Sequence, residues 1–157
     1  MKKRLVTSVR QDTPHPDHDW LNLEHLAEVE ITSEDAAHPI ESALLPDGRS
    51  GWRAAEPGMQ TIRLLFSSPQ QIRWIRLCFV EPSVQRTQEY VLRWSHDGGQ
   101  SFREIVRQQW NFNPDGASTE TEDHRVELAG VTTLELVIIP NISGGNAVAS
   151  LAQLRIA

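Results

Sequence analysis

From Leu26 onward, apolar and polar residues alternate along most of the chain, a period of two that predicts strands rather than helices. Val29 and Ile31 share one parity, with Glu28, Glu30 and Thr32 on the other. Residues 51–55 read as a short strand. Residues 60–66 point Ile62, Leu64 and Phe66 inward, and residues 74–80 do the same with Ile75, Leu77 and Phe79 against an outward Arg76. Between these two strands Pro69-Gln70 is expected to turn the chain. Tyr90, Leu92 and Trp94 lead into Asp97-Gly98-Gly99, which supplies the positive-φ positions of a hairpin turn, and residues 102–110 lead out. Residues 123–128 and 133–139 are further strands, the second apolar on both parities and therefore central. The last strand is 151–156.

Many short strands without a repeat of 20 to 50 residues exclude a solenoid or propeller and leave an all-β, antiparallel β-sandwich. Residues 33–50 form a long connection in which Pro39 starts one helical turn. If successive strands run antiparallel, the links alternate between the two ends of the sandwich. One end then receives residues 67–70, 96–100 and 129–131. The other receives 56–59, 82–87, 113–118 and 140–149, which are longer and richer in Asn, Arg, Gly and Ser, as binding loops on a rigid scaffold are. Residues 1–25, interrupted by Pro14 and Pro16, are expected to be an irregular arm, and 26–157 one domain.

Composition narrows the partners. The 157-residue chain carries 15 Lys plus Arg against 21 Asp plus Glu, a formal charge of -6, so nucleic acid and anionic lipid are not expected as partners. Lys2 and Lys3 are the only lysines; the other cations are arginines, suited to directional contacts. The single Cys78 cannot make an intrachain disulfide, and no signal segment is recognisable, which together suggest a cytoplasmic protein. No apolar run approaches the roughly 20 residues that cross a bilayer.

Three stretches carry a resemblance. Asp47-Gly48-Arg49-Ser50-Gly51-Trp52, Trp94-Ser95-His96-Asp97-Gly98-Gly99 and Ala149-Ser150-Leu151-Ala152-Gln153-Leu154-Arg155-Ile156 stand in the order found in the discoidin, or coagulation-factor type C, family, which this chain resembles from Leu26 to Ala157. The resemblance implies a jelly-roll (galactose-binding-like) topology and a binding rather than catalytic role. Extracellular members often clamp their termini with a disulfide, which this chain lacks. Sugar-binding members often hold calcium near the first long loop, helped by a carboxylate in the last strand. Here Gln153 stands at that place, and a hard cation prefers charged oxygen, so no cofactor is expected; Asp47 and backbone carbonyls are the remaining oxygen donors. Ser95 to Phe102 also resembles the Asp box of sialidase propellers, but it occurs once, and Asp97 is expected simply to cap the turn.

Chemistry was sought at the loop-rich end. Arg107-Gln108-Gln109-Trp110-Asn111-Phe112-Asn113 alternates amides and a guanidinium with aromatic rings, a composition that suits sugar hydroxyls and the C–H face of a sugar ring. The candidate ligand-binding residues are Trp52, Arg53, Arg86, Gln88, Arg107, Gln109, Trp110, Asn111, Asn113, Asn141 and Asn146. Trp110 and Phe112 share a parity and are equally read as core. Trp94 is read as core, and Arg86→Ala and Asn113→Ala are expected to weaken binding with little loss of stability. His15, Asp17, His18 and Asp19 have ligand chemistry but non-specific spacing for a metal. Glu81, Glu89, Glu104 and Glu122 are the carboxylates a glycoside-processing enzyme would draw on, yet no catalytic motif is present. The expected function is therefore a non-catalytic module for a carbohydrate or similar polar ligand. The rival readings are an intracellular adaptor that binds a protein partner and, less favoured, a DNA-repair scaffold.

Overall fold

The computed structural model describes residues 19–46 and 50–157. Among the described residues two short helical turns, α1 (Leu23–Leu26) and α2 (Glu41–Leu44), accompany eight strands: β1 (Ala27–Ile31), β2 (Trp52–Pro57), β3 (Gln60–Val80), β4 (Arg86–Ser95), β5 (Arg103–Phe112), β6 (Thr119–Ile139), β7 (Val148–Leu151) and β8 (Gln153–Ile156). All pairings are antiparallel. The main sheet runs β1-β3-β6-β4-β5, β8 pairs with β3 off that path, and β2 pairs with β7.

The expected turn at Pro69-Gln70 is not made. β3 is one strand of 21 residues, paired along its length with the equally long β6. The register shifts repeatedly between Leu65 and Trp74, where Gln70 opposes Val131. Gly130 sits in this region at φ 70°, which a glycine adopts without strain. The same irregularity replaces the expected tight link at 129–131. It also switches the inward parity, from Ile62, Leu64 and Phe66 to Ile75, Leu77 and Phe79, all buried. β1 and β4 pair only with the first half of β3 and the second half of β6, whereas β8 pairs only with the second half of β3. The two long strands thus serve both layers of the sandwich, and the core between them unites Leu64, Leu77, Tyr90, Leu92 and Leu136.

The last strand is likewise two. β7 joins β2, β8 joins β3, and at the break between them the Ala152 N–H donates to the Cys78 carbonyl at 2.8 Å. Gly51 lies so close to this break that an added Cβ would stand 2.7 Å from the Leu151 carbonyl oxygen. Leu23, at 4% exposure, already belongs to the core, so packing begins before residue 26.

The sorting of connections by end matches the structure even though two of the links are bends. At one end Gly98 N–H donates to Thr132 Oγ1, whose hydroxyl donates to the Ser95 carbonyl. At the other, Glu81 N–H reaches the Ser118 carbonyl, Ile142 N–H that of Thr87, and Gly58 N–H that of Ala147. Among the described residues no helix is long and apolar enough to cross a membrane.

Candidate functional site

At the loop-rich end, the start of β4, the end of β5 and the exit of β6 enclose a cleft of about 500 Å³ lined by Gln85, Arg86, Thr87, Asn111, Phe112, Asn113, Asn141 and Ser143. Strand pairing builds it: Arg86 opposes Phe112 and Thr87 opposes Asn111. The chain leaving β6 is tied down beside them, because Ile142 N–H donates to the Thr87 carbonyl at 2.9 Å and Arg86 Nη1 to the Pro140 carbonyl at 2.8 Å.

Arg86 is the anchor. Its side chain is 1% exposed, its Nε donates to Glu81 Oε1 at 2.8 Å, and its guanidinium lies 4.7 Å from the centre of the Phe112 ring. Burial would raise the Glu81 carboxyl, but the Arg86 hydrogen bond and the Ser83 and Val84 N–H groups outweigh it and hold the group below its ordinary value. Arg86 Nη2, also buried, has no hydrogen-bond partner. The loops use their amides as local caps. Asn113 Oδ1 accepts from the Asp115 N–H, Asn141 Oδ1 from the Ser143 N–H, and Asn111 Oδ1 from the Thr87 hydroxyl at 2.5 Å.

Behind Arg86 the polar chain continues into the sandwich. Gln88, fully buried, accepts from Arg86 Nη1 at 3.3 Å and donates to Glu120 Oε1 at 3.4 Å. Burial, reinforced by the neighbouring Glu122, pushes the Glu120 carboxyl up to about 7. Farther along the same strands the Tyr90 hydroxyl meets His124 Nε2 at 2.8 Å. Burial raises the tyrosine and lowers the histidine, so the neutral form of each is favoured.

Of the residues expected at a ligand site, the structure brings Arg86, Asn111, Asn113 and Asn141 together at the cleft. Trp52 is elsewhere: it is 1% exposed in the core, with its indole N–H on the Ser33 carbonyl. Arg53 is exposed beside Asp35 and His38, outside the cleft lining. Gln88 lies beneath Arg86, out of reach of solvent. Arg107 and Gln109 are on the outer surface of β5, both bonded to Glu89, with Arg107 also bonded to Glu104. Trp110 is half-buried and donates to the Ala117 carbonyl at 3.4 Å, and Asn146 is exposed outside the cleft lining. Gln85 and Ser143 complete the cleft without having been singled out as ligand groups, and Thr87 and Phe112 line it with them. Only the cross-strand register reveals that Thr87 and Phe112 sit beside Asn111 and Arg86.

Other expectations resolve differently. His15, Asp17 and His18 lie outside the described residues, as do Asp47, Gly48 and Arg49. Among the described residues no three His, Cys, Asp or Glu side chains are grouped to hold a metal. Gln153 lines a wider cavity of about 770 Å³ together with Arg76, Arg155 and Pro46. Glu81, Glu89 and Glu104 are tied to arginines, and Glu122 stands beside Glu120 rather than at the cleft.

No protein-family model matches the sequence, and no curated protein matches it. Solved structures do match in shape. One is a family 32 carbohydrate-binding module from Clostridium perfringens in complex with galactose, with 15% identity and TM-score 0.61 over 83% of this chain and 92% of that one. A second is a family 32 module from a family 31 glycoside hydrolase of the same organism, at 18% identity and TM-score 0.64, covering 87% and 93%. A third is a chitosan-binding module from a chitosanase/glucanase of Paenibacillus sp. IK-5, at 18% identity and TM-score 0.61, covering 87% and 98%. A Ruminococcus gnavus fucosidase also matches, with 87% of this chain over 26% of its own. The bent β3–β6 pair, the β4–β5 hairpin and these likenesses agree that this chain has the discoidin, galactose-binding-like jelly-roll fold.

Proposed function

We propose that this domain is a non-catalytic glycan-binding module that holds its ligand in the cleft formed by Arg86, Thr87, Asn111, Phe112, Asn113 and Asn141. The observation that carries the reading is this cleft itself: amide side chains converge on a buried arginine–aromatic pair at the loop-rich end of a jelly roll. Amides and hydroxyls match the hydroxyl-rich edge of a sugar, and the fixed β4–β5 pairing holds them in place before a ligand arrives. Solved neighbours of the same fold are carbohydrate-binding modules, which supports the choice of ligand class.

The absence of a carboxylate from the cleft lining supports a binding role over glycoside cleavage, which draws on two carboxyl groups flanking the scissile bond. Glu81, beside the cleft, is engaged by Arg86 and by two backbone N–H groups. A glycan array followed by titration calorimetry tests the proposal. Retention of a glycan that is lost in Asn111→Ala, with the melting temperature unchanged, supports it. A domain that retains no glycan at millimolar concentration, or retains it equally well after the substitution, does not bind sugar in this cleft.

A further inference from the structure

The polar groups of the cleft are unevenly matched. Asn113 Oδ1 and Asn141 Oδ1 each accept a backbone N–H, from Asp115 and Ser143. A backbone N–H can only donate, so these two bonds fix the amides with oxygen toward the loop and Nδ2 away from it. Neither Nδ2 has an acceptor among the described residues. Arg86 Nη2 has no partner among the described residues either, but it is buried beneath the cleft surface. Thr87 donates to Asn111 Oδ1, which leaves the Asn111 NH₂ as a further donor and the Thr87 oxygen as an acceptor, and Gln85 and Ser143 add one ambivalent group each. The unmatched side-chain capacity of the cleft is therefore predominantly donating.

We propose that the cleft selects glycans carrying an acceptor-only oxygen group, a sugar carboxylate or an acetamido carbonyl, over the corresponding neutral hexose. This rests on the glycan-binding reading and sharpens it. A hydroxyl donates as well as accepts, and a site of donors uses only half of that capacity. A carboxylate or carbonyl oxygen offers lone pairs alone and meets two amide NH₂ groups without leaving a proton unpaired. A site built to hydrogen-bond a given group discriminates strongly against the analogue that lacks it.

Calorimetry with D-galactose, D-galacturonic acid and N-acetyl-D-galactosamine, and with the three matching gluco sugars, tests the inference, since each derivative differs from its parent hexose at one ring substituent. In at least one series the uronate or the N-acetyl sugar is expected to bind about ten-fold or more tightly than the hexose; which of them does so identifies the acceptor group. Asn113→Asp and Asn141→Asp should each abolish that preference with the melting temperature unchanged. The new carboxylate still accepts the Asp115 or Ser143 N–H but has no donor to offer. Hexoses that bind as tightly as their uronate and N-acetyl counterparts overturn the inference and leave the glycan reading standing. A preference that survives both substitutions also overturns it. Silence of all six sugars counts against both.

Discussion

The two ends of the sandwich are made from similar residues and behave differently. At the hairpin end, Asp97 accepts from the Gln100 and Ser101 N–H groups and from the Ser95 and Ser101 hydroxyls, and Gly98 N–H is taken by Thr132. These bonds to Ser101 and Ser95 hold the Asp97 carboxyl well below the usual carboxylate range. At the loop-rich end, the same kind of local cap uses only half of each amide: Asn113 and Asn141 accept from their own loops and leave their NH₂ groups without an acceptor among the described residues. A turn whose polar groups are all satisfied internally is a brace. One that is folded yet still has directed capacity is a place for a ligand.

Substitutions can break this contrast, beginning with the largest effect. Arg86→Ala should cost about 3–5 kcal/mol of stability in denaturant titration, because it strands Glu81 as a buried unpaired charge. This reverses the expectation from sequence that Arg86 is replaceable at little structural cost. A loss near zero would show that Glu81 is not buried as described and would remove the cleft's anchor.

Glu120→Gln comes next, and its sign depends on pH. In the folded protein the carboxyl is raised from its ordinary 4.5 to about 7, so the folded state holds the proton more tightly than the unfolded one. Its favourable contribution is complete below pH 4.5 and lost as pH rises through 7. The variant should therefore be more stable than the wild type at pH 8, by on the order of 2 kcal/mol. The difference between the two proteins should shrink as pH falls from 7 toward 4.5. Subtracting the two profiles cancels His124, whose lowered value acts in the opposite direction in both.

Asp97→Ala should lower the melting temperature and leave glycan affinity unchanged, since its bonds lie at the opposite end. Its depressed carboxyl stabilises the fold above its unfolded value of 3.8 and loses that effect as pH falls through the folded one. A change in affinity would mean that the ends are coupled. The smallest stability change belongs to Asn111→Ala, within about 0.5 kcal/mol, because the residue is exposed and bonded only to Thr87. Its effect should be read in affinity instead.

Parity along the chain identified the inward residues of β1 and of both halves of β3, because a sandwich strand has one face in the core whatever its partners are, and apolar residues on both parities marked the second half of β6 as central. It failed where a strand lies at an edge or a register slips. Trp94 shares the parity of Tyr90 and Leu92 and packs against the core, but is only partly buried after a register shift between Leu92 and Arg93, with Arg103 5.8 Å from its ring. Phe112 is buried while Trp110, two residues earlier on the same edge strand, is half-buried. Charge was misleading in the same way. Arg86 and Gln88 read as solvent-facing ligand groups, but their burial depends on Glu81 and on a Pro140 carbonyl 54 residues away.

By itself, then, the sequence determined an antiparallel sandwich, the β4–β5 hairpin and the division of its loops between two ends. All three follow from local alternation and turn chemistry. Only the tertiary structure decided that β3 and β6 run unbroken through both layers, and which loop-end residues meet. It also decided which atoms of Asn113, Asn141 and Arg86 are left without a partner. The physical reason is that a hydrogen bond's second partner is set by distance in space, and nothing in the spacing of residues along a strand records whether it has already been met.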